Sequence, residues 1–177
     1  MTVDEYFAYT PYSLKPVELI DGALRVADSP MPRHQSAVLQ LLLALDAHVR
    51  PRDIGRMWVA PLDVVLNDRR ALIVQPDLFF ISNERSWIVT DRVRGAPDLV
   101  VEVLSPNPRI GQTAERVRWF EESGVRECWL VHQDERSVTV IEFENRRETS
   151  RRSFARQEAI ESAVLPAFSS SLDEILE

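Results

Sequence analysis

The stretch of sequence that decides the fold is GAPDLVVEVLSPNPR, residues 95 to 109. Two carboxylates, Asp98 and Glu102, interrupt a run of leucine and valine that is typical of a buried strand. Side chains alternate along a strand that rises about 3.3 Å per residue, so the two acids share a face but stand about 13 Å apart. They cannot bind one metal ion together. A buried Glu102 must therefore be paired, protonated or metal-bound.

A second segment, QPDLFFI at residues 75 to 81, places Asp77 after a proline and ahead of a similar apolar run. If the two strands are neighbours, Asp77 and Glu102 lie about 5 Å apart across the ladder, close enough for both to hold a divalent cation. Alternatively, Asp77 and Asp98 bind backbone amides where their strands begin, and Glu102 faces solvent or pairs with an arginine. For Asp98 we favour the amide-binding role.

Hydrophobic periodicity and turn residues indicate the other elements of the chain. They are a hairpin about Asp21-Gly22 with Glu18 on its first arm, a helix over 34–50 that ends before Pro51, β-runs over 56–66 and 71–81 that break at their prolines, a helix over 112–124 with Gly124 as its cap, strands over 127–132 and 137–144, and a short closing helix or turn. Because strands and helices do not alternate regularly, the order predicts an α+β, or mixed α/β, fold on one sheet.

Length and composition set limits on the class of protein. A chain of 177 residues is most economically one domain, 1–177, with a core large enough to need no disulfide. Cys128, the single cysteine, is expected to be a buried thiol, which fits a reducing cytoplasm. The sequence contains neither a secretory signal nor an apolar run of the roughly 20 residues that span a membrane.

The charge pattern contains evidence both against and for nucleic-acid binding. The formal net charge of −7 argues against a general nucleic-acid coating protein. The basic residues are arginines except for Lys15, and several cluster, as in Arg109 with Arg116 and Arg118. A cluster of this kind is either a solvated surface or a local phosphate-binding patch.

Several motifs together resemble the Uma-two family of restriction-endonuclease-like proteins, a branch of the PD-(D/E)XK nuclease superfamily. They are VELIDGALRV, HQ opening a helix, PLDVVL, QPDLFFIS, GAPDLVVEVLSPN, a helix ending in ESGV, and ECWLV. The likeness extends from about residue 17 to the C-terminal SLDEIL. It implies a restriction-endonuclease-like core, with a central mixed sheet flanked by helices and metal-binding acids on adjacent strands.

The resemblance also assigns roles to individual residues. Asp77 matches the acid of the PD half of the motif, and Glu102 matches the first acid of the other half. Glu18 matches the family's N-terminal acid, which can join the cation site, and the carbonyl of Val103 is a further candidate ligand. His34 matches a histidine near the helix start, for which we weigh a phosphate contact against a surface or capping role.

The sequence departs from the family pattern at the lysine. Leu104 stands where the motif lysine would fall, and Arg116 occupies the helix position from which similar proteins supply that lysine. Gln112 replaces an acid frequent near the start of that helix. Because arginine stays protonated, Arg116 can clamp a phosphate or stabilise negative charge but cannot act as a base.

Two functions follow from this comparison of residues, beside a third that stays open, a small-molecule hydrolase that uses the same ion. The first is a Mg²⁺- or Mn²⁺-dependent endonuclease that cuts DNA, with Asp77, Glu102 and Arg116 as catalytic residues. Backbone contacts would come from Arg109, Arg118, His34 and Gln112. The second is a degenerate nuclease fold that binds nucleic acid or a protein without turnover. A homodimer would place one site on each strand of a duplex.

Overall fold

The computed structural model describes residues 1–9, 17–26, 29–104 and 112–176. The helices are α1 (Val3–Tyr9), α2 (Pro32–Arg52), α3 (Thr113–Ser123) and α4 (Leu172–Ile175), and a 3-10 helix spans Asn83–Ile88. The strands are β1 (Val17–Ile20), β2 (Ala23–Val26), β3 (Gly55–Val59), β4 (Val64–Asn67), β5 (Leu72–Val74), β6 (Leu78–Ser82), β7 (Val93–Arg94), β8 (Leu99–Leu104), β9 (Glu127–His132), β10 (Ser137–Glu144) and β11 (Arg147–Ala155).

The strands form two mixed sheets, so the prediction of one sheet is wrong. Sheet A has the order β2-β1-β5-β4-β7, and sheet B has the order β11-β10-β9-β8-β6-β3. Each of the two predicted β-runs is interrupted by a proline, Pro61 or Pro76, as expected. Proline lacks the N–H that a strand ladder needs. The two halves of each run then join different sheets: β3 pairs with β6, and β4 pairs with β5.

The two sheets pack face to face and are covered by helices on their outer sides. Helix α2 lies on the outer face of sheet B, in a core that includes Leu41, Val101 and Trp129. The inner core joins sheet A to sheet B and receives one face of α3 through Phe120. Helix α1 covers the outer face of sheet A through Tyr6. The mixed α+β class predicted from the sequence is confirmed.

Helix α2 is longer at both ends than the sequence predicted. It begins at Pro32, since a proline in the first turn removes an N–H that has no intrahelical partner. It continues through Pro51, so the predicted end before that residue is wrong. Pro51 lies in the last turn, where the Arg52 side chain donates to the His48 carbonyl (2.9 Å) and Asp53 ends the helix in a left-handed conformation.

Glu127 is a fully buried acid to which no sequence motif assigns a role. Its Oε1 accepts hydrogen bonds from Trp129 Nε1 and Ser162 Oγ, both 2.6 Å long. Its Oε2 accepts from the amides of Ala163 (2.7 Å) and Val164 (3.2 Å). These bonds fix the C-terminal segment against sheet B, so the Glu127 carboxylate has a structural role.

Candidate active site

The site forms where β6 begins and β8 ends. These strands are antiparallel neighbours with Leu78 opposite Val101, and extending that register by one residue places Asp77 beside Glu102. Glu102 is two residues after Val100 of the inner core and so points to the inner face of sheet B, while Asp77, just before β6, contacts α2 through His34. The juxtaposition that the sequence suggested is therefore present.

Asp77 is held by contacts to both of its carboxylate oxygens. Its Oδ1 lies 3.0 Å from Nε2 of His34, a buried residue in the first turns of α2. Its Oδ2 accepts the backbone N–H of Val103 at 2.8 Å. Because a carboxylate accepts hydrogen bonds, Nε2 is the protonated nitrogen of His34 in this arrangement. Val103 thus meets the site through its amide.

Arg116 links Glu102 to the hairpin of sheet A. It donates to Glu102 Oε1 from Nη2 at 2.7 Å and from Nε at 3.2 Å. Its Nη1 donates to Glu18 Oε2 at 2.8 Å. The side chains of Arg116 and Glu102 are each 13% exposed and that of Glu18 is 4% exposed, so water screens these ion pairs little.

Glu18 is positioned by residues that sequence reasoning missed. Its Oε1 accepts the backbone N–H of Gln75 at 2.7 Å. The Gln75 side chain donates to Asp63 Oδ1 at 2.8 Å, and the Tyr6 hydroxyl lies 3.0 Å from the same oxygen and 2.8 Å from the Val17 carbonyl. Helix α1 is thereby tied to the strand that carries Glu18. The available sequence signal for this role of Gln75 was Pro76, the residue that directly follows it.

Charge is not balanced in this site. The three carboxylates of Glu18, Asp77 and Glu102 face one guanidinium, which leaves two negative charges when all three are ionised and His34 is neutral. Burial raises the pKa of Glu102 to about 7, an effect that Arg116 opposes and that the carboxylates of Asp77 and Glu18 reinforce. Burial also disfavours the charge on Arg116, but Glu102 and Glu18 hold its pKa above the ordinary value.

The raised pKa of Glu102 predicts a pH-dependent stability for the metal-free protein. Between pH 4.5, the ordinary pKa, and about 7, the folded protein binds more protons at Glu102 than the unfolded chain does. The free energy of unfolding contributed by this group therefore falls as pH rises through that window. Urea denaturation in EDTA at pH 5 and pH 8 measures the change. Glu102→Gln should remove this part of the pH dependence, and an unchanged slope in that variant would contradict the assignment.

The remaining residues predicted for the site are dispersed. Arg109 lies outside the described residues. Gln112 is exposed at the N-cap of α3, four residues before Arg116 and so on the same side of the helix. Arg118 is exposed and points away from the site, because residues two apart on a helix do not face each other.

Asp98 has the amide-binding role that the sequence favoured. It is fully buried, and its Oδ2 accepts the backbone N–H of Ser82 at 2.8 Å. Its Oδ1 lies 3.3 Å from Nη1 of Arg85 and 3.4 Å from Nη1 of Arg126. Asp98 therefore stabilises the far end of the β6–β8 pair and lies apart from the site.

The oxygen atoms of the site's carboxylates match a divalent cation in their chemistry. Carboxylate oxygens are the ligands that Mg²⁺ and Mn²⁺ prefer, and the surplus of two negative charges matches such an ion. Among the described residues, no group of three or more His, Cys, Asp or Glu side chains converges as a ready metal site. The donor chemistry therefore fits a cation. Arg116, however, lies between Glu18 and Glu102 and holds both of these carboxylates.

The fold and the paired acids define a protein of the nuclease-fold class. The chain belongs to the Uma2 family, whose model carries the description "Putative restriction endonuclease" and matches residues 3–173. A solved structure described as a putative nuclease belonging to DUF820, from Anabaena variabilis ATCC 29413, has the same fold with a TM-score of 0.81 and 19% identity. The match covers 99% of this chain and 97% of that one. No curated protein matches the chain.

No helix in the described part of the chain is long and apolar enough to cross a membrane.

Proposed function

We propose that the protein is a metal-dependent endonuclease that hydrolyses phosphodiester bonds in DNA. The observation that carries the proposal is that Asp77, just before β6, lies beside Glu102 on β8, while Arg116 joins Glu102 to Glu18 on β1, so that three carboxylates share one guanidinium. These acids, with the Val103 carbonyl, would hold Mg²⁺ or Mn²⁺. The bound ion would supply a nucleophilic water and stabilise charge on the scissile phosphate.

The protein's own residues divide the remaining work. His34 and the Val103 amide hold the Asp77 carboxylate in place beside Glu102. Glu102, with its raised pKa, must lose its proton before it binds a cation, so activity should rise with pH through about 7. Arg116 stays protonated and stabilises negative charge on the phosphate without acting as a base.

The wider surface would position the substrate. Arg109, Arg118 and Gln112 are proposed backbone contacts, as is His34 if it moves from Asp77. A homodimer would present one site to each strand of a duplex, and the cytoplasm is the compartment that suits the free, buried Cys128.

One observation favours the alternative of a degenerate nuclease fold that binds nucleic acid or a protein partner. Arg116 makes three hydrogen bonds to Glu18 and Glu102, which partly neutralises the site without a metal. Calorimetric titration with Mn²⁺ separates the two functions. The nuclease should bind the ion and lose this binding in Glu102→Ala, whereas a binding protein without turnover should show no heat of Mn²⁺ binding.

The test of the proposed function is cleavage of plasmid and branched DNA by the purified protein. We expect conversion of supercoiled plasmid to nicked and linear forms in Mg²⁺ or Mn²⁺, and no conversion in EDTA. Failure to cut either substrate with either ion would overturn the proposal, as would cutting that persists in EDTA.

A further inference from the structure

Arg25 lies directly across the hairpin from Glu18. The two residues are partners in the antiparallel register of β1 and β2. Opposite residues in such a pair point to the same face, with Cβ atoms about 5 Å apart. Arg25 therefore points to the face of sheet A on which Glu18 meets Arg116.

Among the residues that the structure describes, none forms a hydrogen bond with the guanidinium of Arg25. Both oxygens of the opposite Glu18 carboxylate are engaged, one by the Gln75 amide and the other by Arg116. Within residues 1–9, 17–26, 29–104 and 112–176, no side chain forms an ion pair with Arg25. All four residues of β2 are exposed, so Arg25 presents a full positive charge to solvent beside a buried acidic site.

The strand that carries Arg25 is at the rim of the site. β2 is an edge strand of sheet A. Glu18 and Glu102 lie on the inner face, between sheet A and sheet B. A ligand that approaches Glu18 and Glu102 from this rim must pass Arg25. A net charge of −7 makes such a local cation important, because the molecule as a whole repels polyanions.

We propose that Arg25 binds a backbone phosphate of the DNA strand, next to the phosphodiester bond that is cleaved. The inference rests on the proposed nuclease function and adds a substrate-positioning residue to it. A guanidinium binds phosphate oxygens in a bidentate manner and independently of the base, so Arg25 contributes affinity and position without sequence preference.

Binding of a fluorescently labelled duplex, followed by anisotropy over a range of salt concentrations, tests the inference. Arg25→Ala, Arg25→Lys and Arg147→Ala are each made in a Glu102→Gln background in Mg²⁺, so that DNA is bound without being cut. Arg147 is the matched control, because it is exposed on β11, the edge strand of the other sheet, sheet B.

We expect Arg25→Ala to lower the affinity by about threefold to tenfold. The plot of log K against log salt should become shallower by about 0.9, which corresponds to one lost phosphate contact. Arg25→Lys should recover most of that slope, and Arg147→Ala should match the background. In protein with Glu102 intact, Arg25→Ala should raise KM for cleavage and leave kcat nearly unchanged.

The outcomes separate this inference from the proposed function. If the wild-type protein cuts DNA but Arg25→Ala keeps the full salt slope and KM, the role of Arg25 is wrong and the nuclease proposal stands. Equal losses in Arg25→Ala and Arg147→Ala would also overturn the inference, because the effect would then be one of net charge. Absence of both binding and cleavage in the wild type would overturn the two together.

Discussion

Glu102→Gln is expected to lower the rate of DNA cleavage by at least about a hundredfold, which corresponds to about 3 kcal/mol of lost transition-state stabilisation. The amide has the size of the carboxylate, and its oxygen can still accept from Arg116. What is lost is a charged oxygen ligand beside Asp77. Rates of plasmid nicking at saturating Mg²⁺ measure the effect.

The same variant should fold at least as well as the wild type. An ionised Glu102 is costly in this buried site, as its raised pKa indicates, so a neutral amide removes a penalty above pH 7. Loss of cleavage together with unchanged or increased resistance to urea would therefore separate catalysis from folding.

Two further variants complete this experiment. Asp77→Asn should cause a loss of cleavage comparable to that of Glu102→Gln, because Asp77 is the second acid of the pair. Glu144→Gln makes the same chemical change at an exposed position of sheet B and should cleave at the wild-type rate. Cleavage that persists in both Asp77→Asn and Glu102→Gln would place the chemistry elsewhere in the protein.

The part of the site that could be predicted from the sequence depends on local pattern and strand geometry. An acid in each of two apolar strands was enough to suggest that Asp77 and Glu102 are neighbours, because a strand ladder brings opposite residues together. The same alternation correctly separated Glu102 from Asp98. Gly124 as the cap of α3 followed from the ease with which glycine adopts a left-handed conformation.

The contacts that were missed arise from long-range packing. The Gln75 amide that binds Glu18 and the Tyr6 hydroxyl that supports this region become neighbours only when β1 pairs with β5 and α1 covers sheet A. The same limit explains why two sheets were predicted as one: a proline shows where a β-run breaks, but not which sheet each half joins.

Strand β11 was missed for a different reason. Its sequence, RETSRRSFA, has no apolar alternation, because it is an edge strand with most positions exposed. It is held by backbone pairing to β10 and by ion pairs such as Arg152 with Glu142 (2.9 Å). Charged side chains on an edge strand also discourage pairing with a second chain, which gives the arginines of β11 a structural role.

Arg116→Ala is expected to reduce the free energy of unfolding by about 3 to 5 kcal/mol at pH 8, because it leaves two buried carboxylates without their cation. The loss should be smaller at pH 5, where Glu102 is protonated in the folded state. Urea denaturation at both pH values measures it. A double variant with Glu102→Gln should recover part of the loss, because one uncompensated charge is then removed.

Adding divalent ions to the Arg116→Ala variant tests the site more directly than measuring the stability of this variant alone. If the acids can hold Mg²⁺ or Mn²⁺, millimolar ion should stabilise Arg116→Ala more than the wild type, since no guanidinium competes for Glu18 and Glu102. Equal stabilisation of the two proteins would argue against a cation at these carboxylates.

Arg116→Lys keeps the charge but lacks the planar fork that joins both acids, so it should lose less stability than alanine. Because an ammonium can also lose its proton near a bound water, Arg116→Lys should cleave DNA at least as fast as the wild type.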